Sequence, residues 1–278
     1  MHVMIDDMVG MLDALGHAER LHVFRVLVRR YPQSVAAGEL AETLGYKRST
    51  LSIYLSVLRR AGLVHQDRDG NSLLYSADLS GAKSLIGFLS EDCCRGRTNN
   101  DHRTIDFDAN DHRRYNVLFV CTRNSARSIF AEVILRDTAP ERFAAYSAGT
   151  SSHGAVHPLT LQVLEENGHE ISELGTSSIA EFQKPTAPQM DFVFTVCDQA
   201  ANEECPVWPG QPVTAHWGHP DPAAGVFSDE ERLELFRQTY QAMRRRIQPF
   251  AQLPGPTLDR AALQEHVDDI GRLRLARV

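Results

Sequence analysis

Long apolar runs are what this 278-residue sequence most plainly lacks. No stretch approaches the ~18 apolar residues that a membrane-spanning helix needs, so no membrane partner is expected. The first residues, Met1-His2-Val3-Met4-Ile5-Asp6-Asp7, hold no basic segment followed by an apolar one. A secretory leader is therefore not expected, and a cytoplasmic location is. Blocks of like charge are missing too. The formal net charge is −7, residues 1–95 carry equal numbers of basic and acidic side chains, and the negative balance falls on the rest. That excludes a polybasic nucleic-acid tail. Cysteines number only five, an odd count that excludes a fully paired disulfide framework and fits a reducing compartment where thiols do chemistry. No internal repeat is present.

The length suffices for two domains, each with its own core. Between them, Arg95-Gly96-Arg97-Thr98-Asn99-Asn100-Asp101-His102-Arg103 and Asp108-Ala109-Asn110-Asp111-His112-Arg113-Arg114 are polar, charged and aperiodic. Such composition cannot bury enough surface to order itself and reads as a linker. The expected organisation is a domain over 1–94, a linker over 95–114, a second domain over 115–252 and a helical extension over 253–278.

The second domain opens with the most informative stretch, Val117-Leu118-Phe119-Val120-Cys121-Thr122-Arg123-Asn124-Ser125-Ala126-Arg127-Ser128. A short apolar run reads as a buried strand and ends in cysteine. Five residues precede Arg127, and a helical pattern then opens. A strand, a loop and a helix N-terminus aim backbone N–H groups and the positive end of a helix dipole at an anion. A cysteine at the mouth of that loop is expected to be held as thiolate and to attack a tetrahedral oxyanion. Thr122, Arg123, Asn124, Ser125, Ala126 and Ser128 would form the loop.

Further on come Tyr146-Ser147-Ala148-Gly149-Thr150 and Trp217-Gly218-His219-Pro220-Asp221-Pro222-Ala223. With these the sequence over about 115–250 resembles the low-molecular-weight phosphatase superfamily, an α/β fold with a parallel sheet. Its cysteine loop lies at the N-terminus and an Asp-Pro general acid near the C-terminal end. The segment Phe194-Thr195-Val196-Cys197-Asp198-Gln199-Ala200-Ala201-Asn202-Glu203-Glu204-Cys205-Pro206 is similar to the redox segment of the thioredoxin-coupled arsenate reductases in that superfamily. A phosphatase needs one thiol, whereas a reductase that ends its cycle with a disulfide needs several. Alanine follows Asp221-Pro222, where tyrosine-phosphatase members usually carry an aromatic residue.

The resemblance implies that Cys121 attacks arsenate held by the loop and Arg127, that Asp221 protonates the departing oxygen, and that Cys197 and then Cys205 relay the disulfide toward thioredoxin or another thiol. Asn124, Glu132 and Ser147 match three ligands of the family's potassium site, while Thr176-Ser177-Ser178 offers no carboxylate where an aspartate is expected. The potassium site is therefore incomplete, and no tightly bound cofactor is expected.

The first domain reads as mainly helical. Met8, Met11, Leu12, Leu21, Phe24, Leu27 and Val28 follow a helical period broken at Gly16-His17. Short helices are expected over 36–45 and 48–62, the second with Ser49 or Thr50 near its cap, and a β-hairpin over 63–76 with Asp69-Gly70 marking the turn. Two helices about a tight turn, followed by a hairpin, make a winged helix-turn-helix. Ala18-Glu19-Arg20-Leu21, Gly38-Glu39-Leu40-Ala41, Leu55-Ser56-Val57-Leu58 and Ala61-Gly62-Leu63-Val64 resemble the ArsR/SmtB repressors, which bind operator DNA as dimers.

Arg48, Ser49, Thr50, Ser52 and Tyr54 on the second helix and Arg68 on the wing are the expected DNA contacts. Tyr54 stands where the family usually has histidine. Cys93 and Cys94 resemble the arsenite-sensing pair of a subset of the family, which makes arsenite the expected inducer.

The whole chain thus reads as an arsenite-responsive repressor fused to an arsenate reductase. Two alternatives share many of its residues: a regulator fused to a phosphotyrosine phosphatase, and a DNA-binding oxyanion or redox sensor without turnover.

Overall fold

The computed structural model describes residues 2–93, 114–151, 154–203, 208, 212–253 and 260–273, which form two compact units on either side of 94–113. Cys94 and Cys205 lie outside the described residues.

The first unit runs α1 (His2–Leu15), α2 (Ala18–Arg30), β1 (Val35–Ala36), α3 (Ala37–Leu44), α4 (Arg48–Arg60), β2 (Val64–Asp69), β3 (Ser72–Ala77) and α5 (Leu79–Gly87), and ends in a π-helical turn over Phe88–Cys93. Leu51, Leu55 and Leu58 recur at helical spacing on α4 and are buried with Val23, Leu27 and Leu40. The three strands lie in the order β1-β3-β2, all antiparallel. This is a winged helix-turn-helix.

Two local expectations shift. The hairpin pairs Asp69 with Ser72, so Gly70-Asn71 rather than Asp69-Gly70 form its centre. Gly70 takes φ 57°, which is the demand of a two-residue turn with glycine first. The residue capping α4 is Lys47, without a side-chain hydrogen bond, and Ser49 and Thr50 fall inside the first turn.

The second unit is α/β: β4 (Tyr115–Cys121), α6 (Arg127–Thr138), β5 (Phe143–Gly149), α7 (Pro158–Glu166), a 3-10 turn (Ile179–Gln183), β6 (Phe192–Thr195), α8 (Asp198–Asn202), β7 (Val213–His216), α9 (Asp229–Ala251) and α10 (Arg260–Arg272). The sheet order is β5-β4-β6-β7 and every pairing is parallel. The chain leaves β4 for β5 on one side and later places β6 on the other. Strand order therefore reverses beside β4, and the crevice at the carboxyl ends of such strands is where parallel sheets bind ligands.

Phe194 stacks on Trp217 at 4.0 Å and meets Phe250 edge-on at 5.1 Å, so α9 and the sheet share one aromatic core. Helix α10 covers β7, the last strand of the sheet. Gln264 Nε2 donates to the Thr214 carbonyl (2.7 Å), and Trp217 Nε1 donates to the Val267 carbonyl (2.9 Å).

Candidate active site

Strand β4 carries Val117, Leu118, Phe119 and Val120 fully into the core and delivers Cys121 to the sheet's carboxyl edge. The chain must then turn at once into α6. It does so through Asn124, whose φ of 54° is the one positive value outside glycine among the described residues. Asparagine tolerates that left-handed conformation better than most residues.

Asn124 is also the hub of the loop. Its Nδ2 donates to Ser128 Oγ (2.9 Å) and to Ser147 Oγ (2.7 Å), and its Oδ1 accepts from the Ser177 N–H (2.6 Å). The turn brings the Asn124 N–H to Cys121 Sγ at 3.1 Å, with Ser128 Oγ at 3.0 Å from the same sulfur. Backbone bonds from Thr150, Ser151 and His157 reach the carbonyls of Cys121, Thr122 and Ser125, so neighbouring segments pin the loop along its length.

Arg127 opens α6. Its Nη2 pairs with Asp221 Oδ2 at 3.0 Å and its Nη1 donates to the His219 carbonyl at 3.0 Å. The Asp221 carboxylate also accepts from the Ala223 N–H (3.0 Å). Cys197 lies two residues beyond β6, at the start of α8, with its thiol buried. Its Sγ accepts from the Ala200 N–H (3.4 Å), capping α8, and lies 3.4 Å from Thr122 Oγ1 in the Cys121 loop. Burial pushes this thiol up, and Arg127 works against the shift. Cys121, Asn124, Arg127, Ser128, Cys197 and Asp221 are therefore gathered at one edge of the sheet, whereas Arg123 points outward.

The position of the family's potassium ion has a different character. Ser147 Oγ donates to Glu132 Oε2 at 2.5 Å, and Asn124 has its carbonyl oxygen occupied by a backbone N–H. Burial pushes the Glu132 carboxyl up, toward the neutral form. Asn124, Ser147 and Glu132 instead bond to one another and to the Ser177 N–H, an arrangement that hydrogen bonds alone satisfy.

The sequence profile of the low molecular weight phosphotyrosine protein phosphatases matches residues 116–266, over half of the chain. The chain belongs to this family. A helix-turn-helix domain profile matches residues 15–67, so a DNA-binding fold and a phosphatase-family fold share one polypeptide. The arsenate reductase of Halalkalibacterium halodurans is 35% identical over 136 residues, which are 49% of this chain and 94% of that protein. Arsenate reductase 2 of Staphylococcus saprophyticus is 37% identical over 117 residues, 42% of this chain and 86% of that protein. A solved arsenate reductase in its oxidized state is 29% identical with a TM-score of 0.41, covering 49% of this chain and 95% of that one.

In the helix-turn-helix unit, Arg48, Ser49 and Ser52 are exposed on α4 and Thr50 is half-buried. Tyr54 is half-buried, with its ring 5.8 Å from Tyr46 and 5.5 Å from His17. Ile53, one residue earlier on α4, is 64% exposed. Arg68 is exposed on the wing, its Nε bonded to the Gly70 carbonyl (3.0 Å). Cys93 is exposed, and its expected partner Cys94 is not among the described residues.

Sequence reasoning missed two residues behind the site. Arg246 is buried on α9, with Nη2 3.3 Å from the Gly218 carbonyl. His219 is pushed down to about 4 by burial, then by Arg246 and Arg127. Neither shares a motif with Cys121. The available signal was a third arginine in the run Arg244-Arg245-Arg246, falling on the apolar side of a helix.

Proposed function

We propose that the chain is an arsenate reductase joined to an arsenite-responsive repressor. The observation that carries the enzymatic half is the second buried thiol, Cys197, at hydrogen-bond distance from the loop of the first. A phosphatase has no use for it. The family's arsenate reductases, to which residues of this unit are about 35% identical, support the same choice.

In this reading arsenate takes the Arg127 guanidinium from Asp221, which then takes up a proton; Cys121 Sγ attacks arsenic and forms an S–As bond while one arsenic oxygen, protonated from Asp221, leaves as water. Arg127 and the loop N–H groups hold the remaining oxygens. The Cys197 thiolate then attacks Cys121 Sγ. An S–S bond forms, the S–As bond breaks, and its electron pair stays on arsenic, which departs as arsenite. Cys205 next attacks Cys197, freeing Cys121, and a dithiol such as thioredoxin reduces the Cys197–Cys205 disulfide.

For the regulatory half, support comes from the helix-turn-helix profile and the exposed polar start of α4. Ile5, Val9 and Leu12 on α1, with Ile86 on α5 and Leu89 in the turn after it, are exposed apolar side chains, and they support pairing of two copies through this unit.

The test is arsenate-dependent oxidation of reduced thioredoxin beside a phosphatase assay. Cys197→Ser and Cys205→Ser are each expected to abolish repeated turnover while oxyanion binding persists. Undiminished steady-state reduction in either variant would take that thiol out of the relay, and phosphatase activity without arsenate-dependent oxidation would return the chain to the phosphatase alternative.

A further inference from the structure

One cluster next to Cys197 is not accounted for by the thiols, the oxyanion loop or the general acid. His216, the last residue of β7, is buried with its side chain wholly out of solvent. Its Nδ1 lies 2.8 Å from Thr195 Oγ1 and its Nε2 lies 3.0 Å from Asp198 Oδ1. A carboxylate can only accept, so Nε2 carries the proton; in the neutral ring Nδ1 then accepts from the threonine hydroxyl.

Thr195 and Asp198 stand two residues before and one residue after Cys197, so one imidazole ties down both sides of the thiol. Backbone bonds reinforce the tie, from the Trp217 N–H to the Thr195 carbonyl (2.8 Å) and from the His219 N–H to the Val196 carbonyl (3.2 Å). Gly218 leaves the room. A Cβ there would stand 2.5 Å from both Asp198 Oδ1 and His216 Nε2, closer than any real contact, so a side chain at 218 and this pair exclude each other.

We propose that His216, bridging Thr195 and Asp198, is a positioning residue that keeps the Cys197 thiol aimed at the Cys121 loop. It touches neither thiol and acts through the turn that carries one of them. The proposal rests on the relay reading above, in which Cys197 must reach Cys121 Sγ in line with the bond that breaks. An ångström of misplacement at such a step costs on the order of a hundredfold in rate.

Asp198→Ala removes one end of the bridge from a half-exposed position. Asp198→Asn keeps an oxygen that can accept from Nε2 but loses the charge at the start of α8, which separates the bridge from a simple helix-dipole effect. The full chain would carry Cys205→Ser, so that the Cys121–Cys197 disulfide accumulates and is identified by peptide mass.

The disulfide is driven once by arsenate and once by diamide, whose N=N bond takes up the two electrons and two protons that the thiols lose. Loop integrity is read separately from alkylation of Cys121 by iodoacetate. With Asp198→Ala, both routes to the disulfide are expected to slow roughly ten- to a hundredfold, with alkylation unchanged and Asp198→Asn close to the parent. Parent-like disulfide formation in Asp198→Ala overturns the proposal. So does an equal loss in Asp198→Asn, a parallel fall in alkylation, or a parent that forms no such disulfide with either oxidant. If arsenate fails in the parent but diamide succeeds and shows the Asp198→Ala defect, the reductase reading falls and the positioning role stands.

Discussion

Two buried titratable side chains of the second unit pull its stability in opposite directions with pH. His219 is pushed down to about 4, so the fold holds its neutral form. Its contribution is complete above the ordinary histidine value and is lost as pH falls toward 4. Asp268 is pushed up to about 6 by burial, against a hydrogen bond from Gln264, so the fold again favours the neutral form. Its contribution is complete below the ordinary carboxylate value and is lost as pH rises through 6. Between about pH 4 and 6 the slopes of these two residues oppose. Asp268→Asn is expected to stabilise the protein at pH 7.5 by on the order of 1 kcal/mol, after allowing for solvent screening, and to leave it unchanged at pH 4. Urea midpoints at the two pH values decide it, and equal midpoints at pH 7.5 would remove Asp268 from this account. Neither residue was foreseeable as special, because what shifts them is packing by helices that are distant in sequence. Cys121 and Arg127 were foreseeable because six residues of local chain suffice to set their relation. The bridge of Thr195, Asp198 and His216 was not, since its members meet only when β6 and β7 pair.

At the scale of elements, periodicity carried most of the fold. Tyr54 and Ile53 differ by about 100° around α4. That step separates an exposed side chain from one whose ring meets Tyr46 and His17. The polar starts of short helices were readable, but the cap of α4 was not, because Lys47 supplies only a backbone conformation. The segment after 253, expected as a helical extension, holds a helix that packs on the sheet. Leu263, Val267 and Ile270 of α10 are buried, each worth about 1.5–3 kcal/mol, and Arg260 and Gln264 donate to the carbonyls of Pro212 and Thr214. A chain ended after Leu253 leaves β7 as an open edge beside Trp217, and such edges template strand pairing between copies. Light scattering should show the shortened protein associating at concentrations where the parent does not. A shortened protein as well dispersed as the parent would mean that α10 is dispensable cover.

The molecule as a whole places a proposed producer of arsenite in the same chain as a proposed detector of it. Arsenite is expected to release the full-length protein from DNA upstream of its own gene, with an affinity that falls steeply with salt. Comparing the intact chain with an equimolar mixture of its two units, supplied with arsenate, thioredoxin and an external thiol trap, separates two accounts of the fusion. A released small molecule diffuses away almost at once, so equal sensitivity to the trap is expected, and joint synthesis is then what the fusion secures. Greater resistance in the intact chain would show direct handover.

The ion pair between Arg127 and Asp221 bears on selectivity among anions. Any oxyanion that takes the guanidinium must compete with a carboxylate tethered beside it. A tethered competitor cannot be diluted, and it lowers affinity for arsenate and phosphate alike. On the proposed reductase reading, in a medium where phosphate far outnumbers arsenate, weak holding of both keeps the nucleophile from being occupied by an ion it cannot reduce. Discrimination would then fall to the step after binding, where arsenic accepts two electrons from sulfur and phosphorus does not.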